Sequence, residues 1–218
     1  MDIWTAWLDS IAALLTILSS GAGLSLGLAI IVATVLLRTV LLPLSWTSAY
    51  RACLRQKKLA KLQPELRALQ TELRNQPELY LAKMRDLYRA HDLELVDAKS
   101  LVGALAQMPV FLGMFEVLRS TGDGVRFLWV ANLLRPDFAL AVLAGLATAL
   151  LMAVNPDMPE QLRFVLIVVP SLLAVVAALQ FSSALAIYWV TSNTFSAIQT
   201  TLLQIVVRRR VRSGMIQL

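Results

Sequence analysis

Five long apolar runs restrict what this chain can fold into more than any other feature of its sequence. A helix that crosses a hydrocarbon core of about 30 Å needs roughly 20 mostly apolar residues. Of the 218 residues, 58% are hydrophobic, and they are concentrated rather than dispersed as in soluble domains. Runs that approach or meet the spanning length cover residues 24–44, 101–118, 138–154, 164–181 and 184–207. The sequence therefore predicts an all-α integral membrane protein with five transmembrane helices.

The distribution of Lys and Arg between the runs predicts the topology. Segment 45–100 carries 11 of them, segment 155–163 carries one, and the tail at 208–218 carries four, whereas segment 119–137 carries three. Because basic residues accumulate in cytoplasmic loops, the first three segments are expected in the cytosol, with 16 basic residues against three outside. Five crossings then place the N-terminus outside and the C-terminus in the cytosol. No Arg- and Ser-rich transit peptide precedes the first run, which favours the inner membrane of a bacterium.

The first 23 residues are apolar on one side. Apolar residues recur there at helical spacing, namely Trp4, Trp7, Leu8, Ile11, Leu14, Leu15 and Leu18. The polar residues of the segment, Asp2, Asp9 and Ser10, face elsewhere. Segment 1–23 is therefore predicted to be an amphipathic helix in the outer interface of the membrane, with its tryptophans at headgroup depth. The turn Gly21-Ala22-Gly23 would separate it from the first span, 24–44. A cleaved signal peptide is the alternative, although no basic segment precedes the apolar stretch.

The charged segment 45–100 contains the pattern of a cytosolic helical hairpin. An apolar seam with a period near 3.5 residues consists of Leu59, Leu62, Leu66, Leu69 and Leu73. Asn75-Gln76-Pro77 then breaks the helix, and a second arm ends near His91 with a seam of Tyr80, Met84 and Leu87. Pro64 is predicted to kink the first arm. Such a hairpin is either a solvated connector or a docking surface for a ribosome, a targeting factor or an emerging nascent chain.

The single cysteine and the single histidine do not form a metal or redox site in this sequence. Cys53 lies among basic residues, with no second cysteine for a disulfide and no metal-ligand spacing. His91 has no cluster of further ligands. The sequence also lacks a Gly-rich phosphate loop ending in Lys-Ser or Lys-Thr. We therefore expect no metal, no cofactor and no nucleotide.

Arg38 is the residue of the apolar runs that most needs an explanation. It lies 14 residues into the first run and six from its cytosolic end, which is a depth of about 9 Å at 1.5 Å per residue. An arginine at the centre of a spanning helix costs roughly 2.5–3.5 kcal/mol on insertion scales. Its long side chain could reach the headgroups by snorkelling. The alternative is a polar environment that it shares with other spans.

Polar residues of other runs are predicted at the depth of Arg38. Gln107 lies six residues inside the cytosolic end of the second run, and Thr34 lies one helical turn from Arg38. One face of the fifth run carries Trp189, Asn193, Ser196, Thr200 and Gln204. Interhelical hydrogen bonding accounts for part of such a stripe. Because few acids in the runs could pair with Arg38, these groups predict a water-filled cavity, open to the cytosol, that attracts polar or acidic segments of a passing chain.

Several segments resemble the YidC/Oxa/Alb family of membrane protein insertases. Segment 36–44 (LLRTVLLPL) is similar to the family's first core helix, in which an arginine precedes a Pro-Leu pair. The similarity covers about residues 4–207 in the family's order and spacing. Segments 62–64 (LQP) and 87–90 (LYRA) resemble the family's hairpin, and segment 107–111 (QMPVF) resembles its second span. The last two spans of the family are similar to Pro170, 181–185 (FSSAL) and 188–193 (YWVTSN).

The resemblance implies a five-helix core around a hydrophilic groove that is open to the cytosol and to lipid but closed to the outside. A substrate's polar outer segment would enter the groove, and its hydrophobic segment would slide out along the third and fifth spans. By this resemblance Arg38 is the groove arginine and Trp189 an aromatic groove position. The chain departs from the family pattern at Met152, where many relatives carry a groove glutamine, at 181–184, which replaces Phe-Pro-Ser-Gly, and near 95–97, where an Asn-Pro is missing.

The residues and the resemblance together predict an insertase that works without covalent chemistry, since the runs contain no Ser/His pair, paired Asp or metal-ligand set. The expected partners are nascent membrane proteins and the lipid bilayer, with a ribosome, a targeting factor or the Sec translocon at the hairpin, and no nucleic-acid substrate. Two alternatives stay open: a specialised assembly factor that binds a partner through the hairpin, and a small anion transporter or channel. The predicted groove contacts are Arg38, Thr34, Gln107, Trp189, Asn193, Ser196 and Thr200.

Overall fold

The structure is a computed structural model that describes residues 2–91, 93, 108–155 and 162–213. Within these ranges all regular secondary structure is helical, which confirms the predicted all-α class. A π-helical turn, Ile17–Gly21, extends the first α-helix. The part of the predicted second span before Met108, including Gln107, lies outside the described residues. The α-helices are α1 (Ile3–Thr16), α2 (Leu26–Val40), α3 (Leu42–Glu72), α4 (Pro77–Ala90), α5 (Met108–Leu118), α6 (Phe138–Ala153), α7 (Arg163–Ala178) and α8 (Ser183–Arg212).

The chain divides into two compact units. The core unit comprises Met1–Pro43 and Ala106–Thr201, and the hairpin unit comprises Leu44–Leu105 and Leu202–Leu218. The first division, after Pro43, lies where the apolar first run gives way to the charged segment. The second division lies inside α8, so that this helix contributes to both units.

Helix length distinguishes one candidate membrane span among the described residues. Ile3–Gly21, with 19 residues, is long and apolar enough to cross a membrane, and α2 with α3 adds a second if this pair is one broken span. Helices α5, α6 and α7 are apolar but have 11, 16 and 16 residues. The count of five transmembrane helices therefore stays a prediction. The N-terminal segment, predicted to lie in the interface, has the length and composition of a span.

Helix α1 packs on α5 through its apolar side. Ile11 is buried in the core, and the indole Nε1 of Trp7 donates a hydrogen bond to the carbonyl of Pro109 at 3.0 Å. Gly113 permits this approach, because a Cβ there would lie 2.6 Å from both Ile11 Cδ1 and Trp7 Nε1. The predicted glycine turn follows the helix, with Gly23 at a φ of +68°, which glycine adopts without strain. The pattern that predicted a membrane-facing side thus also serves helix packing.

The centre of the core unit is formed by α2, α5, α6 and α8, which all contribute buried side chains. Helix α7 packs closely on α6. A Cβ on Gly145 of α6 would lie only 2.4 Å from Val175 Cγ2 of α7, so the approach depends on the absence of a side chain at Gly145. Small residues commonly allow such an approach in membrane proteins. The core side chains of these helices include Ile30, Ala33, Met114, Leu118, Ala141, Ala144, Leu185 and Tyr188.

The connecting segment, residues 119–137, links α5 to α6 and is tied to the start of α8. The hydroxyl of Ser182 donates to the carbonyl of Leu118 at 3.0 Å, and that of Ser183 donates to the carbonyl of Arg135 at 2.6 Å. Each carbonyl also accepts from a backbone N–H, that of Thr121 at 3.4 Å and that of Ser183 at 3.1 Å. The two serines that stand in the departure from the family pattern at 181–184 therefore add side-chain bonds that tie the start of α8 to the connecting segment.

The hairpin unit contains the predicted helix, break and helix. Helix α3 ends at Glu72, and α4 begins at Pro77, a residue suited to the first helical position. Pro64 lies inside α3, which continues past it. The predicted seam residues are buried or half-buried, whereas most of their neighbours are exposed, and the packing of the two helices as a hairpin stays a prediction. These residues are Leu59, Leu62, Leu66, Leu69, Leu73, Tyr80, Met84 and Leu87.

The first turns of α3 pack on the last turns of α8 within the hairpin unit. Cys53 is buried in a small cluster with Leu203 and Val207, so that the thiol occupies a core position although its neighbours in the sequence are basic. The guanidinium carbon of Arg210 lies 5.6 Å from the ring centre of Tyr50, and its Nη1 donates to the Tyr50 hydroxyl at 3.3 Å. Apolar burial and a cation–π contact together join the two helices.

Candidate functional site

The candidate site is centred on Arg38, in the last turn of α2. Its side chain is partly buried, and its Nη2 donates a hydrogen bond to the hydroxyl of Ser192 on α8. Tyr188 also interacts with the guanidinium. Tyr188 and Ser192 are buried and lie one turn apart, so that both face the same side of α8. The guanidinium is thus directed towards α8, whereas snorkelling would direct it along α2 to the headgroups.

Neither Tyr188 nor Ser192 is among the predicted groove contacts, although both lie in segment 188–193, which resembles the family. The predicted stripe on α8 begins at Trp189 and Asn193, each one position later, which is about 100° around the helix. A signal was nevertheless present, because Tyr188, Ser192 and Ser196 follow one another at steps of four. The expectation that Arg38 has few partners concerned acids, and it overlooked these neutral hydroxyl groups.

Asn193, on the predicted face, connects two helices. Its Nδ2 donates to the hydroxyl of Thr148 on α6 at 2.8 Å, and that hydroxyl donates in turn to the carbonyl of Ala144 at 2.8 Å. Thr148 is buried, so an amide or hydroxyl without a partner there would be costly. Asn193 therefore serves interhelical hydrogen bonding, one of the two roles considered for the stripe.

Thr34 lies one turn before Arg38 and is buried. Its hydroxyl donates to the carbonyl of Ile30 in its own helix at 2.6 Å. This bond satisfies a polar side chain inside an apolar helix without a partner from another element. Ser196 and Thr200 lie further along α8 and are half-buried, so that part of each side chain is accessible. Gln107 lies outside the described residues.

Aromatic rings of α5 pack against the part of α8 that carries Tyr188. Phe111 of α5 lies 6.3 Å, between ring centres, from both Tyr188 and Trp189, and its ring meets Trp189 edge to face. Phe115 meets Phe181 edge to face at 5.2 Å. Such pairs stabilise packing by about 0.5–1.5 kcal/mol beyond the burial of area. Trp189, predicted as an aromatic groove position, is thus held by α5 and stays half-buried.

The chemistry of the site is that of binding. A guanidinium offers five N–H donors in a planar fork and stays protonated, so it can hold carbonyl or carboxylate oxygens but cannot exchange protons. Within the described part of the chain, no three His, Cys, Asp or Glu side chains are grouped so that they could hold a metal ion. The groups brought together here are one cation, two hydroxyls and aromatic rings, which can form hydrogen bonds and aromatic contacts.

Comparisons with known proteins agree in pointing to one family. The family model for the 60Kd inner membrane protein matches residues 17–210. Membrane protein insertase YidC from Clostridium tetani is 31% identical over 184 residues, which cover 82% of this chain and 81% of that protein. The YidC insertase of Oceanobacillus iheyensis is 32% identical over 195 residues, which cover 81% and 73%.

A third relative is longer than this chain. Membrane protein insertase YidC 2 from Staphylococcus epidermidis is 30% identical over 191 residues, which cover 80% of this chain. The chain spans only 65% of the length of that relative.

Proposed function

The chain belongs to the 60Kd inner membrane protein family, which includes the YidC insertases, and we propose that it assists the insertion and folding of other membrane proteins. The observation that carries this proposal is the partly buried Arg38, directed by Ser192 and Tyr188 towards α8. A positive group at this depth is expensive in a bilayer, so its presence calls for a function. A cation at this place would attract an acidic or polar segment of a passing chain.

We infer that the segment entering the protein meets the guanidinium in a hydrophilic groove open to the cytosol. A groove shortens the distance over which polar groups cross a low-dielectric barrier, which lowers the free energy of moving them. The predicted contacts are Arg38, Thr34, Gln107, Trp189, Asn193, Ser196 and Thr200. Substrate hydrophobicity supplies the driving force, and the membrane potential adds about 2.3 kcal/mol per charge per 100 mV for acidic residues. No covalent step is part of this mechanism.

The proposed arrangement has five spans, with the N-terminus outside and the C-terminus in the cytosol. The support is the excess of Lys and Arg in 45–100, 155–163 and 208–218. The hairpin of α3 and α4 then lies in the cytosol, where a ribosome, a targeting factor or the Sec translocon could reach it. The proposed substrates are nascent membrane proteins.

A complementation experiment tests the proposal. Cells depleted of their own insertase would express the wild-type chain, Arg38→Ala or Arg38→Lys, and insertion of a single-span reporter would be measured by protease protection. We expect rescue by the wild type and a loss of rescue in Arg38→Ala. Arg38→Lys retains the charge but not the planar fork, so its rescue measures how much depends on charge alone.

Photocrosslinking tests the place of contact. A photoreactive residue at Ser196 or Thr200 should crosslink to the nascent reporter, whereas the same residue at Ile198, an exposed position of the same helix, should crosslink mainly to lipid. A well-expressed wild type without rescue and without crosslinks would refute the insertase proposal. That outcome would favour a specialised assembly factor acting through the hairpin, and anion flux in vesicles would favour a channel; the comparisons favour neither.

A further inference from the structure

The connecting segment displays two large apolar side chains on a tight turn. Phe127 and Val130 exchange two backbone hydrogen bonds, of 3.0 and 2.9 Å, and enclose Leu128 and Trp129. Leu128 has a φ of +51°, which is uncommon for a residue with a side chain. The exposed fractions are 72% for Leu128 and 54% for Trp129. The turn therefore combines backbone strain with apolar surface that nothing in the described structure covers.

The base of this turn is fixed to the core unit. Val130 and Leu133 are buried, and the backbone N–H of Leu133 donates to the carbonyl of Val125 at 2.9 Å. The ring of Phe127 lies on Gly27 of α2, where a Cβ would be 2.2 Å from the ring. Strained conformations persist when their surroundings hold them in place and are enriched where function uses them. The buried residues at the base of the turn thus hold its tip in the exposed position.

The indole of Trp129 is oriented as it would be at the edge of a membrane. Its Nε1 donates to Asp137 Oδ1 at 3.2 Å, and the same carboxylate oxygen accepts from the backbone N–H of Leu140 at 2.9 Å as the cap of α6. The polar edge of the ring is satisfied while the ring itself stays exposed. The next residue, Phe138, begins α6 with 71% of its surface exposed. Tryptophans in this amphipathic arrangement are enriched at membrane–water interfaces.

Charges complete the pattern. Arg126 and Arg135 are exposed on the same segment, and guanidinium groups pair well with phosphate. The apolar tip continues along α6 through further exposed aliphatic residues, Leu143, Leu146 and Leu150. Continuity with an apolar helix face and neighbouring cations both fit a lipid surface.

We propose that Leu128 and Trp129 anchor the connecting segment in the lipid interface at the start of α6, with Arg126 and Arg135 at the phosphate level. The charge distribution predicts that this is the outer leaflet. The anchor fixes the depth of α6 and of the connected start of α8. It is independent of the proposed insertase function, and either can fail alone.

Depth-dependent quenching of a fluorophore tests the anchor. The full chain, with Cys53→Ala, would carry Leu128→Cys labelled with an environment-sensitive dye, in vesicles of phosphatidylcholine and phosphatidylglycerol. A matched control carries the dye at Asp123→Cys, an exposed position of the same segment that is not part of the proposed anchor. We expect several-fold weaker quenching by iodide at 128 than at 123, and strong quenching at 128 by a nitroxide on the upper acyl chain. Both sites share the same vesicle orientation, so their ratio does not depend on it.

Equal iodide quenching at 128 and 123 would show that the tip is in water and would overturn the proposal. Protection from iodide without quenching by the nitroxide would show that protein covers the tip, which also overturns it. Trp129→Cys, labelled in the same way, gives a second site for the same measurement if Leu128→Cys does not fold.

Discussion

The guanidinium of Arg38 donates a hydrogen bond to the hydroxyl of Ser192, which lies 154 residues later in the chain. The bond joins the last turn of α2 to α8, and Tyr188 adds a second polar neighbour one turn away. Ser192 is buried, so the bond lies in surroundings of low dielectric, where electrostatic interactions are stronger than in water. The direction of the cation is therefore set by α8.

Removal of the Ser192 hydroxyl should leave the charge of Arg38 but release its direction. We expect Ser192→Ala to lower insertion of the reporter about tenfold, since hydrogen bonds to charged groups contribute roughly 1.5–3 kcal/mol. Thr191→Ala is the matched control, because the Thr191 hydroxyl donates to the Ile187 carbonyl of its own helix at 2.8 Å. Equal insertion by the two variants, at equal expression, would exclude a positioning role for Ser192.

The bond between Asn193 and Thr148 should be measurable as a coupling energy. In a double-mutant cycle of Asn193→Ala and Thr148→Val, unfolding in mixed micelles should show a coupling of about 0.6 kcal/mol, and at most about 1.7 kcal/mol. The control cycle combines Asn193→Ala with Ser171→Ala. The Ser171 hydroxyl bonds within α7, so this cycle should show no coupling energy. A coupling of equal size in both cycles would mean that the effect is not carried by this bond.

Gly113 should be intolerant of a side chain. In Gly113→Ala the new Cβ would meet Ile11 Cδ1 and Trp7 Nε1 at 2.6 Å, so α1 must shift. We expect a loss of about 1–3 kcal/mol in the free energy of unfolding, as for other overpacked sites, and faster protease cleavage of the N-terminal helix. Gly21→Ala is the control, with its nearest contact at an ordinary 3.9 Å. Equal protease resistance of the two variants would contradict the packing of α1 on α5.

The hairpin should depend on its seam. Leu62→Ala removes a buried side chain of α3 and should lower the stability of the hairpin unit by about 2–5 kcal/mol. Leu81→Ala changes a half-exposed leucine of α4 and should have an effect within about 0.5 kcal/mol. Hydrogen exchange of the α4 amides would report the difference. Similar exchange in both variants would show that the seam does not hold the two helices together.

Local patterns in the sequence predicted the helical class, and Asn75-Gln76-Pro77 predicted the break between α3 and α4, because turn residues are a local property. The packing of these two helices as a hairpin stays a prediction. The site was predicted less completely. Arg38 was identified by the cost of its charge, whereas Tyr188 and Ser192 were missed since their role depends on the rotation of α8 relative to α2. The span count and the groove stay predictions.

The sequence by itself determined which segments are helical, which are apolar and where the positive charges lie, since these follow from composition and from spacing along the chain. Only the tertiary structure decided which polar groups meet. Arg38 is directed to Ser192, Asn193 to Thr148, and the serines at 182 and 183 to backbone carbonyls of Leu118 and Arg135. The physical reason is that a hydrogen bond forms only when donor and acceptor are placed to within a few tenths of an ångström and the two helices have the right rotation. A local pattern along the chain encodes neither.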